Sequence, residues 1–451
     1  MQRSEIFEAK VPRYTSYPTA PHFHSGVGPE VYRQWLEELS PEAPLSMYLH
    51  IPFCDTLCWF CGCHTSVVNN YTPVAEYRDL LLREMALVAQ ALGGRRKVNH
   101  IHWGGGSPTI LRPEDMARLD AATRDYFDVT ESAEFAVEVD PRGLTQANVD
   151  ALAGAGLTRA SIGVQDCDPA VQAAINRLQT EEETRAAIAM LRGAGVQSIN
   201  LDLLYGLPLQ TLKSWENTLR FAVGLCPDRL SIFGYAHLPS FKKHQALISA
   251  AQLPDTSMRL RQAEMAGDFL GANGYVAIGL DHYAKPRDGM ANALATGSLA
   301  RNFQGYTTDA APALIGLGAS AIGSLPQGYA QNHAAVPLYR ATVMQGRLPI
   351  ARGIALGAED RLRRAIIERL MCDLCADLDA ICASHGFSPA QLQDSISALG
   401  ELAAHGIVSL DGARITISPQ WRAATRLVCA AFDTYLDRGV KGGGARHSVA
   451  V

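Results

Sequence analysis

The sequence predicts an α/β fold. The expected core is a parallel β/α partial barrel, with an N-terminal extension before it and a mostly helical domain containing a small hairpin after it. Three observations carry this expectation. Six short apolar runs rich in β-branched residues are each followed by a helical stretch. The helices between them have readable ends. Polar residues gather where the runs stop, which is where β/α barrels keep their chemistry. Strand, helix, strand at this rhythm implies parallel strands with right-handed crossovers. A doubly wound sheet shares the rhythm, and periodicity does not separate the two.

The runs cover residues 45–51, 98–103, 135–139, 159–164, 199–204 and 229–233. The helix expected over 75–92 stops at Gly93-Gly94. The next opens at Pro113, a residue tolerated in a first turn, and another spans 145–155. Thr180 with Glu183 forms a capping-box pattern for a helix that closes at Gly193–Gly195. The last of the series covers 212–225. From about Arg352 the character changes. Helices are expected over 359–378, 389–404 and 421–436, and Asp411-Gly412 joins two short strands, 407–410 and 414–417. The tail beyond Lys441 reads as flexible. The chain therefore divides at 1–44, 45–350 and 351–451. The last part resembles a winged helix, but no basic stripe accompanies it, so a lid or packing role is the better reading.

Composition agrees with a soluble globular protein: 47% hydrophobic and 19% charged residues in 451. A net charge of -5 gives no electrostatic case for nucleic acid or an anionic membrane. The polar start lacks the apolar core of a signal peptide. The longest weakly polar stretch, 313–325, is too short to span a bilayer. A cytoplasmic location with reduced thiols is expected.

The most specific motif follows the first run. Cys54, Cys58 and Cys61 are spaced C-x3-C-x2-C, with Phe60 just before the third. Three thiolates can hold three irons of a four-iron cluster and leave the fourth iron open to a small molecule. Zinc is the competing reading, with Cys63 or His64 as fourth ligand, but structural zinc ligands usually come as two separated pairs. Ten cysteines in 451 residues is not the density of a disulfide scaffold. Cys372 and Cys375 fall within a helical pattern and read as buried neighbours on one face. Cys167, Cys226, Cys382 and Cys429 read as packing residues.

Other candidates lie at the strand ends. Gly104–Gly106 let backbone approach a ligand closely, and without a Gly-Lys-Ser/Thr ending they are no phosphate loop. Glu138, Gln165 and Asp202 are polar residues on runs that should be buried, so they need partners. Sugar hydroxyls and ammonium groups would serve, as would internal salt bridges. Arg177 could clamp a carboxylate. Arg301 lies in a polar, aromatic segment, 301–308, that reads as a binding loop. His50, His102 and His237 border strand ends.

With these residues in view, the cysteine motif and Gly104–Ser107 resemble the radical S-adenosylmethionine (SAM) superfamily. Pro12–Thr19, His50–Cys54, Gly62-Cys63, His102–Pro108, Glu138–Arg142, Gly163–Asp166, Asp202–Pro208, Arg301–Thr308 and Phe432–Leu436 resemble the oxygen-independent coproporphyrinogen III oxidases within it. The likeness implies a 4Fe–4S cluster on Cys54, Cys58 and Cys61, with Cys63 not a ligand. It implies two SAM molecules per active site. Tyr48, Phe60, Gly105, Gly106, Ser107, Glu138, Gln165, Arg177, Asp202, Ala236 and Ile322 match the SAM-contacting positions. Ser107 stands where threonine is common and keeps the hydroxyl. The implied reaction is oxidative decarboxylation of two propionates of coproporphyrinogen III to vinyl groups, giving protoporphyrinogen IX for haem synthesis. Arg13 and Arg301 are candidates for holding the substrate's carboxylates. An electron donor such as a flavodoxin or ferredoxin and a monomeric state are also expected. A haem chaperone or a haem-modifying enzyme of the same superfamily is the alternative. The chaperone is disfavoured by Pro12–Thr19, by Cys63, and by Arg301-Asn-Phe-Gln-Gly-Tyr in place of His-Asn-x-x-Tyr-Trp.

Overall fold

All six expected strands form, and they lie side by side in chain order. In the computed structural model, which describes residues 7–436, they are β1 (Leu45–Ile51), β2 (Lys97–Gly105), β3 (Asp128–Val139), β4 (Arg159–Gln165), β5 (Ser198–Tyr205) and β6 (Arg229–Gly234). Every neighbouring pair is parallel. A seventh parallel strand, β7 (Ala313–Leu317), pairs with the outer edge of β1. Order without reversal has no topological switch point, which excludes the doubly wound alternative. Antiparallel strands extend both ends of the sheet to twelve strands: 276–284 beyond β6 and 322–355 beyond β7. These edge strands have no counterpart in the expected pattern. They are short hairpin strands without the strand–helix rhythm. The sheet is a partial barrel, as expected.

Five helices cross between the strands: α1 (Thr72–Leu92), α2 (Pro113–Tyr126), α3 (Gln146–Gly154), α4 (Glu181–Gly193) and α5 (Leu212–Gly224). Their ends follow local chemistry. Gly93 ends α1 in the left-handed region at φ 69°. Thr145 accepts from the Asn148 N–H at the start of α3. Thr180 and Glu183 make the expected capping box on α4.

Strand alternation decides what faces where. One face carries Met47, Leu49, Ile101, Trp103, Val137, Ile162, Leu201, Leu203 and Leu230, all buried in the main core. The other face is polar. It contributes Ser46, His100, His102, Glu134, Glu138, Arg159, Ser161, Asn200, Asp202, Arg229 and Ser231 to the lining of an interior cavity of about 150 Å³. At the N-terminal ends of the strands this lining is an ion-pair layer. Arg159 donates to Glu134 at 2.8 Å, Arg229 to Asp288 at 2.9 Å, and Asp309 bridges His100 and Ser46. The hairpin of Ala300–Asn302 and Gly305–Thr307 also lines this cavity, through Asn302, Tyr306 and Thr307.

The C-terminal part departs from expectation in three places. The helix expected over 359–378 stops at Asp373, where Leu374 turns left-handed at φ 56°. Strand Cys375–Asp377 follows, pairing with Arg414–Ile417, and Asp377 caps the next helix, Leu378–Ser384. Cys372 and Cys375 therefore do not share a helix face. Cys372 is fully buried, and Cys375 lies on the strand beside Thr416. The helix expected over 389–404 is three short pieces. The one expected over 421–436 is a 3₁₀ turn, Pro419–Ala424, then Thr425–Ala430. It stops because Asp433 turns back: it accepts from the Tyr435 N–H at 2.9 Å and from the Tyr14 hydroxyl at 3.1 Å. The hairpin at Asp411-Gly412 forms as expected, with Gly412 at φ 58°. The expected flexible tail lies outside the described residues.

The N-terminal extension straps across this part. Phe7 stacks on Trp421, and Arg426 donates to the carbonyls of Val11 and Pro12.

The ion-pair layer makes a pH-dependent contribution to stability. Burial opposes ionisation of Glu134, but Arg159 and Arg229 outweigh it and hold the carboxyl at about 2, against 4.5 ordinarily. A depressed carboxylate stabilises the fold above its unfolded pKa and ceases to as pH falls toward the folded value. Glu134→Gln is expected to lose about 2 kcal/mol near neutral pH. Its stability should then vary less with pH between about 4.5 and 2 than that of the parent, measured by urea unfolding. Identical pH slopes in the two proteins would rule this role out.

Candidate active site

The loop after β1 carries the three cysteines and is held on several sides. The Trp59 N–H donates to the Ile175 carbonyl at 2.9 Å, and Asn176 donates to Leu57 O at 2.8 Å. From the segment after β6, Gln245, His244 and Lys242 reach Phe60 O, Cys61 O and Cys63 O at 2.9, 2.8 and 2.9 Å. The glycine turn after β2 laces to the same loop: Gly106 N donates to Ile51 O and Ser107 N to Phe53 O, both at 2.8 Å. A Cβ on Gly106 would collide with the Phe53 carbonyl. Gly105 adopts φ 121°, and a Cβ there would lie 2.8 Å from the His50 ring. Both glycines are therefore required by close approach and not only by turn geometry.

The three thiols converge. Burial pushes Cys54 up to about 11, and neighbouring Cys61 and Cys58 add to it against a 3.2 Å contact with the Thr65 hydroxyl. Cys58 is buried between two guanidiniums: Arg142 Nη2 lies 3.5 Å and Arg177 Nη1 3.6 Å from its sulfur. Both arginines also bond Asp140, at 2.6 and 3.2 Å. Burial opposes ionisation of Asp140, but the arginines prevail and hold it at about 2. Among the described residues, no three His, Cys, Asp or Glu side chains surround one point as a single metal ion requires. A cage of four irons spaces its thiolates more widely, because each sulfur binds a different iron. Three thiols on one loop, cationic donors at a sulfur and side-chain-free glycines alongside fit such a cluster with a ligand beside it.

Around the loop stand the other expected residues. Tyr48 is on β1, its hydroxyl 2.9 Å from His50 Nδ1. Glu138, on β3, accepts from the Gly105 N–H at 3.0 Å and approaches His102 Nε2 at 3.4 Å. Burial opposes its ionisation, but His102 and that N–H keep its pKa low. Gln165 ends β4 at φ 68°, a left-handed position for a residue with a side chain, across a register shift that re-aims it. Arg177 also donates to Gly163 O at 2.6 Å. Asp202, on β5, accepts from Ser161 and Asn200 at 2.8 and 2.9 Å, and burial raises its pKa. Ala236 follows β6 and its carbonyl accepts from Gln245 at 3.2 Å. Ile322 is on an antiparallel strand two strands from β1, packed near Phe23 and Tyr329. Asp166 faces away from the site: Gln210 at 2.6 Å and Thr218 at 3.1 Å hold it as a support for the loop after β5.

Some residues beside the site were absent from the expected set. Asp140 and Arg142 bind the Cys58 side and were visible as the end of the Glu138–Arg142 motif. Ser161, Asn200 and Ser231 extend the polar face, beside the already noted His102, and were visible as alternation along each run.

A cavity of about 870 Å³ adjoins the cysteine loop at Cys63. Among the described residues five arginines line it, Arg13, Arg259, Arg301, Arg422 and Arg426, against three acids, Glu264, Asp268 and Asp281. Arg301 is held over the Tyr306 ring at 4.4 Å, and its buried Nε and Nη1 have no hydrogen-bond partner among the described residues. Arg13 donates to Gly234 O at 3.0 Å.

Comparison with known proteins agrees with this geometry. The model of the radical SAM superfamily matches residues 48–222. The oxygen-independent coproporphyrinogen III oxidase of Bradyrhizobium diazoefficiens is 51% identical over 96% of this chain and 96% of its own. That of Escherichia coli is 40% identical over 94% and 93%. The solved structure of the Escherichia coli coproporphyrinogen III oxidase, described as a radical SAM enzyme, superposes with a TM-score of 0.90 at 39% identity, covering 95% of this chain and all of that one.

Cys58→Ala is expected to keep the far-ultraviolet circular dichroism of the parent but to fail to retain iron and sulfide after anaerobic reconstitution. Gly106→Val should give the same iron loss by displacing the loop, with about 1–3 kcal/mol lost in stability. Full iron retention by Cys58→Ala would remove that sulfur from the ligand set.

Proposed function

The chain belongs to the oxygen-independent coproporphyrinogen III oxidases of the radical SAM superfamily, and from that premise we propose how its own residues divide the work. The enzyme is a radical SAM oxidoreductase of haem biosynthesis with a 4Fe–4S cluster and SAM as cofactors. In this reading Cys54, Cys58 and Cys61 hold the cluster, and coproporphyrinogen III occupies the arginine-lined cavity. The cavity carries the proposal: it is large enough for a sizeable ligand, it reaches the cysteine loop, and its charge suits a molecule with four carboxylates.

When bound, the cluster and SAM would supply hydrogen-atom abstraction from an unactivated propionate carbon, and loss of carbon dioxide together with one electron to an external acceptor would then leave a vinyl group. The protein's part is position and charge. Arg142 and Arg177 offset the negative charge of the Cys58 thiolate. Asp140 fixes both guanidiniums. Glu138, kept ionised, offers its carboxylate to an ammonium group at the end of β3. Gly104–Gly106 and Gly163 let Glu138, His50, the Phe53 carbonyl, Gln165 and Arg177 pack against bare backbone, which sets these groups around the cysteine loop. Asp202, with Ser161 and Asn200, presents acceptors and donors suited to ribose hydroxyls. Tyr48, Phe60, Ser107, Gln165, Ala236 and Ile322 complete this set, Ile322 lying against Gly316, the partner of Tyr48 on β1. Two SAM molecules per site belong to this reading through the family resemblance.

In the larger cavity, Arg301 lies near Asp281, and its Nε and Nη1 have no hydrogen-bond partner among the described residues. An unpaired buried guanidinium is costly, so a carboxylate bound there would satisfy it. Arg13 reaches the same cavity from the N-terminal extension. The proposal includes an external electron donor such as a flavodoxin or ferredoxin, a monomer, and a cytoplasmic setting. No helix among the described residues is long and apolar enough to cross a membrane.

The direct test is anaerobic turnover. Reconstituted protein with reductant, SAM and coproporphyrinogen III should release 5′-deoxyadenosine and form vinyl product. Stable haem binding without turnover would favour a chaperone instead. Arg301→Ala is expected to raise KM for the porphyrinogen by about 10- to 100-fold, the loss of one charged contact, with Arg301→Lys recovering part of it. An unchanged KM would place the carboxylates elsewhere.

A further inference from the structure

The three thiols of the cysteine loop have unequal surroundings. Cys54 Sγ lies 3.2 Å from the Thr65 hydroxyl, and Cys61 Sγ accepts from the Cys63 N–H at 3.4 Å. Both contacts are with neutral groups. Among the described residues only Cys58 has guanidinium donors at its sulfur, Arg142 Nη2 at 3.5 Å and Arg177 Nη1 at 3.6 Å. Lys242 and His244 also reach the loop, but they bond the carbonyls of Cys63 and Cys61 and not a sulfur. The acids nearby are Asp140, bonded to both arginines, Glu138, bonded to the Gly105 N–H, and Asp55, which is exposed to solvent. Two guanidiniums against the one carboxylate they share leave a net positive charge beside the Cys58 sulfur.

The two arginines are bound differently. Asp140 follows β3 and caps the 3₁₀ turn Pro141–Gly143, where its carboxylate accepts from the Arg142 N–H at 3.1 Å, from Nε at 2.9 Å and from Nη2 at 2.6 Å. A planar fork on one carboxylate fixes the guanidinium in orientation as well as place, and the same Nη2 meets Cys58. Arg177 is buried and divides its bonds. Its Nη1 serves Asp140 at 3.2 Å and Cys58, and its Nη2 donates to Gly163 O at 2.6 Å. Its buried Nε has no hydrogen-bond partner among the described residues. Arg177 thus keeps a donor for a ligand, in line with its place among the expected SAM contacts. Arg142 instead directs its fork to Asp140 and Cys58.

Resting on the cluster assignment proposed above, we infer that Arg142 is a positioning residue whose charge, held at the Cys58 sulfur by Asp140, sets the reduction potential of the cluster. Reduction takes one electron from an external one-electron donor and lowers the net charge of the cluster and its thiolates by one. A fixed cation that donates to a ligand sulfur stabilises the reduced, more negative state more than the oxidised one, and so raises the potential. Asp140 opposes part of that charge, but it faces the sulfur through the guanidiniums, which are the groups in contact with it. The division of labour follows from the bonds: Arg142 fixes the potential of the resting cluster, and Arg177 answers to the ligand beside it.

A redox titration without turnover tests this. The full chain and its Arg142→Met and Arg142→Lys variants are reconstituted anaerobically, assayed for iron and sulfide, and poised with dithionite and mediator dyes. The reduced cluster is read by electron paramagnetic resonance, first without SAM and then with it. At a given poise the ratio of reduced to oxidised cluster should fall about tenfold in Arg142→Met, a midpoint about 59 mV lower for one electron. Arg142→Lys keeps the charge without the fork and should fall between Arg142→Met and the parent. Any shift caused by SAM should be the same size in the parent and in Arg142→Met. An unchanged midpoint in Arg142→Met would overturn the inference, as would equal midpoints in the two variants, since charge would then not be the cause. Loss of iron from both variants would also overturn it, by giving Arg142 a role in assembling the loop. A SAM-induced shift that disappears in Arg142→Met would do the same, by placing Arg142 among the ligand contacts. A parent that takes up no iron and sulfide would instead remove the cluster assignment on which the inference rests.

Discussion

The inner face of the six central strands is predominantly polar, and much of the architecture follows from the need to satisfy it. Two-residue alternation sends the apolar half of every strand outward to the helices and sends His, Glu, Arg, Ser, Asn and Asp inward. Unpaired, these groups would cost more than the core could recover. They are paired in layers. Arg159–Glu134 and Arg229–Asp288 close the lower end, Ser161, Asn200, Asp202 and Ser231 share hydrogen bonds in the middle, and His102 and Glu138 meet the glycine turn at the top. The lower layer is self-sufficient. The upper layer is tied instead to the glycine turn, whose bare backbone lets Glu138, His50 and the Phe53 carbonyl approach closely.

The reactive loop itself has little internal structure, yet it is fixed. Its carbonyls are held by side chains from after β6, its backbone by the glycine turn after β2, and one sulfur by two arginines anchored on Asp140. A loop placed by rigid elements combines accessible chemistry with precise position. The large cavity is built differently, from both ends of the chain. Arg13 comes from the N-terminal extension, Arg422 and Arg426 from the C-terminal part, and Arg426 also binds Val11 and Pro12 carbonyls. The barrel thus supplies the cysteine loop and most of the cavity lining, and the two flanking regions add three of the five arginines found there among the described residues.

Legibility tracked how local the cause was. The six strands and five helices could be read because caps, glycine stops and apolar runs act within a few residues. The C-terminal helices misled because helical pattern continued through Leu374, where strand pairing of Cys375 with Thr416 takes over. The same override broke 421–436, where Asp433 serves Tyr14 from the other end of the chain. The edge strands beyond β6 and β7 were missed because short antiparallel strands leave a weak signal. Asp140 and Arg142 stood in a recognised motif, but that both arginines converge on Cys58 is a fact of folding, not of spacing.

By itself the sequence determined the strand–helix order, the polar alternation that makes the sheet curl around a hydrophilic interior, and the three-thiol loop at the end of β1. These depend on periods of two to four residues and on side-chain chemistry that any context preserves. Only the tertiary structure decided that β1 to β6 lie in order with β7 on the outer edge of β1, that Arg142 and Arg177 flank one sulfur, and that Arg13, Arg259, Arg301, Arg422 and Arg426 line one cavity. Each of these joins residues tens to hundreds of positions apart, and such contacts are set by packing and charge neutralisation across the whole chain.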